Sequence, residues 1–119
     1  MCEIISTQQA PAAIGPYSQG IMTGNMIFVS GQLPIVPETG EFAGTTIEEQ
    51  TARSLENVAA ILSQAGMDLG NIVKTTIFIK DMNSFAAANG VYAKYFEGLR
   101  YPARACVEVA RLPKDALIE

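Results

Sequence analysis

Histidine is absent from this chain of 119 residues. That absence removes the commonest general base of enzymes, the usual activator of a nucleophile and the usual ligand of transition metals. Any chemistry that the protein performs must therefore use glutamate, aspartate, tyrosine, lysine, cysteine or backbone groups.

Cysteines and long apolar runs are scarce as well. Cys2 and Cys106 are the only cysteines, and neither has a second cysteine at CxxC spacing, which favours reduced thiols in an intracellular protein. No run of 18 apolar residues is present, and the first residues lack the basic and apolar segments of a signal peptide. We therefore expect a cytoplasmic protein that does not enter a membrane.

Positive charge is in deficit. Eight lysines and arginines are outnumbered by twelve aspartates and glutamates, which gives a formal net charge of −4 and a sequence pI of ≈ 4.7. Because an acidic chain repels phosphate backbones, this balance argues against nucleic-acid binding.

Hydrophobic residues, by contrast, make up 49% of the chain. A chain of this length buries roughly two-thirds of the surface that its unfolded form exposes, so one core is feasible without disulfides. We expect one domain over residues 1–119.

The pattern of apolar residues predicts alternating strands and helices. A helix is expected from Thr45 or Thr46, with Glu48 or Glu49 completing a capping box, to Gly66. The other predictions are an extended, turn-rich entry up to Gly20, a strand from Met26 to Ser30 with Gly31 inside it, a strand over 72–80, a second helix from Asp81 or Asn83 to Gly98, and a strand over 103–109. This order predicts an α+β fold with two helices on one face of a mixed β-sheet.

The last predicted strand has one polar and one apolar face. Ala105 and Val107 suit the helices, so Arg104, Cys106 and Glu108 are expected on the opposite face of the sheet. That second face must meet water or another subunit, and the high apolar content favours another subunit.

Four segments together resemble one known family. The blocks "GPYSQ", "SGQ" and "PARACVEVARLPK" are specific in combination, and the resemblance covers essentially the whole chain. The segments are "APAAIGPYSQG" (10–20), "FVSGQLP" (28–34), "NVAAILSQAGMDLGNIVKTTIFIKDM" (57–82) and "YPARACVEVARLPKDALIE" (101–119). They resemble the Rid, or YjgF-like, family of reactive intermediate deaminases, and in particular its RidA branch.

The resemblance implies a chorismate-mutase-like fold assembled as a homotrimer, with active sites in the clefts between subunits. It implies hydrolysis of 2-iminoacids, such as 2-iminobutanoate and 2-iminopropanoate, and of their enamine tautomers to 2-ketoacids and ammonia. The family uses no metal and no organic cofactor. A ligand-binding regulatory protein that senses 2-ketoacids on the same fold is the alternative, and translation inhibition and chaperone-like holding are also linked to the family.

The resemblance assigns Arg104 and Glu119 the leading roles. Arg104 matches the arginine that holds the substrate carboxylate, and its planar fork suits bidentate binding; a structural ion pair is the alternative. Glu119 matches the glutamate that orients and deprotonates the attacking water; a disordered terminal residue is the alternative. Family members continue as a further strand after this glutamate, so we expect the natural chain to be longer.

Five further residues match positions around the family's ligand. Cys106 is expected to line the site rather than to attack the substrate, since imine hydrolysis needs no covalent intermediate; a small buried hydrophobe is the alternative. Tyr17 is expected to close the cleft, Ser30 and Gly31 to present a hydroxyl and backbone groups, and Asn89 to lie nearby on a helix. Subunit packing for Tyr17 and plain solvation for Asn89 stay open.

Overall fold

The computed structural model describes residues 1–119 as an α+β fold of two helices and two β-sheets. Neither helix combines the length and apolar character needed to cross a bilayer. The elements are strands β1 (Cys2–Ile5), β2 (Gly20–Thr23) and β3 (Met26–Val29), helix α1 (Ile47–Gln64), strand β4 (Lys74–Ile79), helix α2 (Phe85–Tyr95) and strand β5 (Ala103–Glu108).

The strands form one antiparallel and one parallel sheet. Strands β1, β2 and β3 are antiparallel neighbours in that order, and β4 pairs with β5 in parallel. On its other edge β4 pairs with residues 117–119, because Ile79 forms an antiparallel bridge with Ile118. Phe78 and Glu119 exchange two backbone hydrogen bonds of 2.9 Å. Strand β4 is therefore bonded on both edges at its carboxyl end.

Helix α1 begins and ends where its sequence predicts. The Thr46 hydroxyl accepts a hydrogen bond from the Glu49 N–H at 3.1 Å, and the Glu49 carboxylate accepts one from the Thr46 N–H at 3.3 Å. Gly66, at φ +76°, donates its N–H to the Ser63 carbonyl just beyond the last turn. The capping box and the closing glycine thus fix both ends.

Both helices pack on one face of the sheets, as predicted. One apolar cluster joins α1, α2, β4 and the end of the chain, and a second joins β1 and α1. The first consists of Leu55, Ile77, Ile79, Ala88, Tyr92, Phe96 and Ile118, and the second of Ile5, Ala10 and Ile61.

The predicted orientation of the last strand is wrong. Cys106 pairs with Ile77 and packs against the first apolar cluster, and Arg104 contacts α2, so these residues face the helices. Glu108 lies on the same side, where its carboxylate accepts a hydrogen bond from the Met82 N–H at 2.8 Å. Val107 is 44% exposed on the open face. Alternation shows which residues share a face, but pairing with the buried Ile77 decides which face meets the helices.

The open face of each sheet carries a row of paired apolar side chains. Ile4, Ile21 and Phe28 lie opposite one another across the first sheet, and Phe78 lies opposite Val107 in the second. Ile4 is 68% exposed and Phe28 59% exposed. Aligned apolar side chains of this kind usually mark an interface.

Strand β1 lies in the segment predicted to be only an extended entry, and strand β2 begins at the last residue of that segment, Gly20. Strands β1 and β2 were not predicted, because the prolines and glycines between them dominate the sequence pattern. Strand β3 ends at Val29, so Gly31 follows the strand instead of lying inside it. A Cβ at position 31 would meet the side chain of Glu119.

Candidate active site

The candidate residues form two separate groups. The first, called here the Arg104 group, contains Arg104 and Cys106 on β5 together with Asn89 on α2. The second, called the Glu119 group, contains Glu119 and, at the end of β3, Ser30 and Gly31. Tyr17 is placed near the Glu119 group by the chain, because Ser30 forms hydrogen bonds to the backbone of Ser18 and Gln19, the two residues that follow Tyr17.

Arg104 is held in place by helix α2. Its Nη1 donates a hydrogen bond of 2.6 Å to Asn89 Oδ1, and its guanidinium carbon lies 4.9 Å from the centre of the Tyr92 ring and 5.4 Å from that of Phe85. Such cation–π contacts orient the guanidinium plane. Arg104 forms no ion pair within the chain. Its other N–H groups have no protein partner and border a cavity of about 490 Å³ beside Tyr101.

Cys106 lies two residues further along the same face of β5. Burial raises the pKa of its thiol, and the nearby Arg104 guanidinium lowers it by a smaller amount. A thiol with a raised pKa is a poor source of thiolate at neutral pH. The environment therefore favours a lining role for Cys106 over nucleophilic attack.

Glu119 is fixed in the sheet by its backbone. Its N–H and carbonyl both bond to Phe78, and Ile118 is 3% exposed in the core. Burial raises the pKa of the Glu119 carboxyl above its ordinary value. The raised pKa moves this carboxyl towards the range in which a general base works near neutral pH.

Gly31 makes room for that carboxyl. A Cβ at position 31 would lie 2.9 Å from both Cδ and Oε2 of Glu119, so the carboxyl would have to move away. The preceding Ser30 donates its hydroxyl to the Ser18 carbonyl at 2.5 Å and its N–H to the Gln19 carbonyl. These bonds tie the end of β3 to the segment that carries Tyr17, whose side chain is 51% exposed.

One chain does not bring the two groups together. Arg104 pairs with Thr75, whereas Glu119 pairs with Phe78, so their backbones lie three residues apart along β4 and two strand spacings apart across it. That offset corresponds to about 14 Å. Arg104 faces the helices, whereas Glu119 shares the open face with Phe78, because directly paired residues point the same way. The two groups therefore lie apart within one chain and on opposite faces of the sheet.

Sequence reasoning did not single out Tyr92 as part of the site. Tyr92 lies three residues after Asn89 on α2, under the Arg104 guanidinium, and its hydroxyl forms a hydrogen bond of 2.8 Å with the Thr75 hydroxyl. The available signal was the helical spacing of the two residues, which places them on one face. No group of three or more histidine, cysteine, aspartate or glutamate side chains stands close enough to hold a metal ion.

Comparison with known proteins identifies the family. A family model described as Endoribonuclease L-PSP matches residues 7–119. A solved structure of a protein of the conserved Rid family from Yersinia pestis superposes with a TM-score of 0.97 at 48% identity, over 99% of this chain and 94% of that one. The chain belongs to the Rid family.

Two relatives from Escherichia coli have a named activity or a bound ligand. A 2-iminobutanoate/2-iminopropanoate deaminase of strain K12 is 53% identical over 121 residues, covering 100% of this chain and 94% of its own. The structure of TdcF with bound serine has a TM-score of 0.95 at 51% identity, over 98% of this chain and 92% of that one. These Rid relatives thus include a named deaminase and a protein that binds a small amino acid.

Proposed function

We propose that this Rid protein is a 2-iminobutanoate/2-iminopropanoate deaminase, a hydrolase that cleaves the C=N bond of 2-iminoacids without a cofactor. The observation that carries the proposal is the pair of half-sites: a guanidinium with unused N–H groups and a carboxyl with a raised pKa. The first suits the substrate carboxylate and the second suits the water. The name of the Escherichia coli relative supports the same reaction.

The two halves are proposed to meet between subunits. In a homotrimer with chorismate-mutase-like packing, the apolar open faces turn towards each other, and the Arg104 group of one subunit lies against the Glu119 group of the next. The exposed Ile4, Phe28 and Val107 support burial of this face. The separation of Arg104 from Glu119 within one chain supports a site that takes residues from two.

The reaction needs binding, a positioned water and proton transfer. Arg104 holds the carboxylate by two parallel hydrogen bonds. Glu119 accepts a proton from water as the oxygen bonds to C2 and passes it to the imine nitrogen, so the C=N double bond becomes the C–N single bond of a carbinolamine. Glu119 then carries the hydroxyl proton to the amino nitrogen, the C–N bond breaks to release ammonia, and the C=O bond of the 2-ketoacid forms. Cys106, Ser30, Gly31 and Tyr17 shape the pocket, and no atom requires an external oxidant or reductant.

Turnover is tested by generating the 2-iminoacid in the assay. An amino-acid oxidase or a dehydratase supplies the imine, and semicarbazide traps what has not been hydrolysed. The wild-type protein should lower the semicarbazone yield. Arg104→Ala should lose at least about 100-fold in kcat/KM, since two charge-assisted hydrogen bonds disappear. Arg104→Lys keeps the positive charge but lacks the planar guanidinium, so its kcat/KM should be only slightly higher than that of Arg104→Ala. A wild-type protein that behaves like buffer would contradict the proposal.

Subunit mixing tests where the site lies. Arg104→Ala and Glu119→Gln chains are each expected to be inactive, but a mixed trimer contains one interface with both residues intact. Co-refolding equal amounts makes about three-quarters of the trimers mixed and restores about one quarter of wild-type activity. A mixture no more active than its separate components would show that one chain holds the whole site.

Ligand binding without turnover is the second candidate. The serine bound to TdcF favours it, because that ligand carries a carboxylate and an amine. Calorimetric titration with 2-ketobutyrate tests this candidate. It is selected if the wild type binds 2-ketobutyrate, Arg104→Ala does not, and neither protein changes the semicarbazone yield.

The net charge of −4 argues against an RNA substrate. Two free cysteines agree with a cytoplasmic setting, which we also propose.

A further inference from the structure

Gln50 is a buried polar side chain for which the site described above gives no role. It lies in the first turn of α1 and is 3% exposed. Its Nε2 donates to the Gly44 carbonyl at 3.1 Å, and its Oε1 accepts from the Leu117 N–H at 2.9 Å. A buried amide usually satisfies both ends in this way. Gln50 thus joins the start of α1 to the segment that carries Glu119.

The bond to Leu117 replaces a bond of the β ladder. Phe78 and Glu119 form a hydrogen-bonded pair, so the pair two residues back, Lys80 and Leu117, should also exchange two bonds. Lys80 N–H does donate to the Leu117 carbonyl at 2.9 Å. The Leu117 N–H turns to Gln50 instead. The final segment therefore takes its position from α1 as well as from β4.

Helix α1 offers a rigid support at this point. The capping box of Thr46 and Glu49 fixes the turn that contains Gln50. Gly44, whose carbonyl accepts the hydrogen bond from Gln50 Nε2, has φ +97°, and a Cβ there would clash with the Glu49 carboxyl. The loop before α1 and the helix itself thus hold Gln50 from both sides.

We propose that Gln50 is a positioning residue for the deaminase reaction, acting on Glu119 through the Leu117 N–H. The proposal rests on the proposed function of Glu119. Gln50 does not touch the substrate, and the Arg104 group does not depend on it. Its loss should misplace the catalytic carboxyl and leave carboxylate binding intact.

Two substitutions separate positioning from general stability. Gln50→Met keeps the size and loses both hydrogen bonds, whereas Gln50→Glu keeps an oxygen that accepts from Leu117 N–H in either protonation state. Burying a carboxyl makes Gln50→Glu the less stable of the two. Melting temperature should therefore fall in the order wild type, Gln50→Met, Gln50→Glu. The kcat should instead fall about ten- to 100-fold in Gln50→Met alone, with KM within about twofold.

The matched control is Gln64→Ala at the exposed end of the same helix, which should change neither kcat nor melting temperature. If Gln50→Met does not fold, Leu117→Pro removes the same bond from the donor side and leaves the Leu117 carbonyl in place. A kcat that follows melting temperature across the variants, or an unchanged kcat in both Gln50→Met and Leu117→Pro, would overturn the proposal.

Amide hydrogen exchange gives a readout that does not need turnover. The Glu119 and Phe78 amides should exchange faster in Gln50→Met than in wild type, while the amides of β5 stay unchanged. If the wild type proves inactive and this pattern is still found, the proposed function fails and the positioning by Gln50 stands. Unchanged exchange at Glu119 would refute the positioning whatever the activity.

Discussion

Glu119 shows how one residue acquires chemical character from its surroundings. Its carboxyl is partly buried against Gly31, and burial raises its pKa above the ordinary value of a glutamate. Folding therefore favours the neutral form. The stability contributed by this preference is present below the ordinary pKa and is lost as pH rises through the raised pKa.

The pH profile of kcat should report this carboxyl. A general base works when deprotonated, so kcat should rise with pH, with a midpoint above 4.5, the ordinary value. Glu119→Gln should have little activity, and its unfolding free energy should decline less between acid and neutral pH than that of the wild type. Steady-state kinetics and urea unfolding over the same pH range measure both. An acid limb that persists in the residual activity of Glu119→Gln would assign the titration to another group.

Gly31 provides a second test at the residue scale. Gly31→Ala places a methyl group 2.9 Å from the Glu119 carboxyl carbon, so the carboxyl must move. We expect kcat to fall about ten- to 100-fold, because small displacements at a reacting centre have effects of that size, with 2-ketobutyrate binding retained. Gly90→Ala is the control, since a Cβ there meets nothing within 4 Å. Equal kcat for both variants would show that the contact does not matter.

Helix α1 links the ends of the molecule at the scale of secondary structure. It contributes residues to both apolar clusters, and its Gln50 accepts a hydrogen bond from the Leu117 N–H in the final segment. Strand β4 has the complementary role, since it bonds to β5 on one edge and to residues 117–119 on the other. The Arg104 group and the Glu119 group are thus attached to the same strand from opposite sides.

The capping box should contribute measurably to stability. Thr46→Ala removes the hydroxyl that accepts the Glu49 N–H and should lower the free energy of unfolding by about 1 kcal/mol. Because Gln50 lies in the same turn, some loss of kcat should accompany it. Chemical denaturation measures the first effect, and the exposed Thr45→Ala is the control. A change in Thr45→Ala as large as that in Thr46→Ala would contradict the assignment of the cap.

At the scale of the whole molecule, the open face is the surface that the proposed trimer would bury. The exposed apolar side chains of each sheet, such as Phe28 and Val107, lie on the side away from the helices. Trimer formation would bury this surface and complete the site in one step. Activity should therefore depend on protein concentration if the subunits separate on dilution.

A charge on that face should dissociate the proposed trimer. Val107→Glu places a carboxylate among apolar side chains, and we expect light scattering to fall from about 38 kDa, three times the 12.7 kDa chain, to the mass of a monomer. Deaminase activity should disappear with the trimer. Ser63→Glu adds the same charge at an exposed site on α1 and should change neither the mass found by light scattering nor the deaminase activity. A trimeric Val107→Glu protein would place the interface elsewhere.

The sequence by itself determined the local features. The capping box and the glycine at position 66 set the ends of α1, and the β-branched run set β4, because these signals act between residues close in the chain. The order of elements gave the α+β class. The blocks around Tyr17, Ser30 and Arg104 gave the family and the candidate residues.

Tertiary structure decided how those residues are arranged. Alternation could not tell which face of β5 meets the helices, because Ala105 and Val107 suit either a core or an interface; the register with Ile77 decided it. Pairing of Phe78 with Glu119 and the bond from Leu117 to Gln50 join residues far apart in sequence. Periodicity carries no information on such partners. For the same reason, the division of the candidate site into two groups on opposite faces of the sheet became visible only in the folded chain.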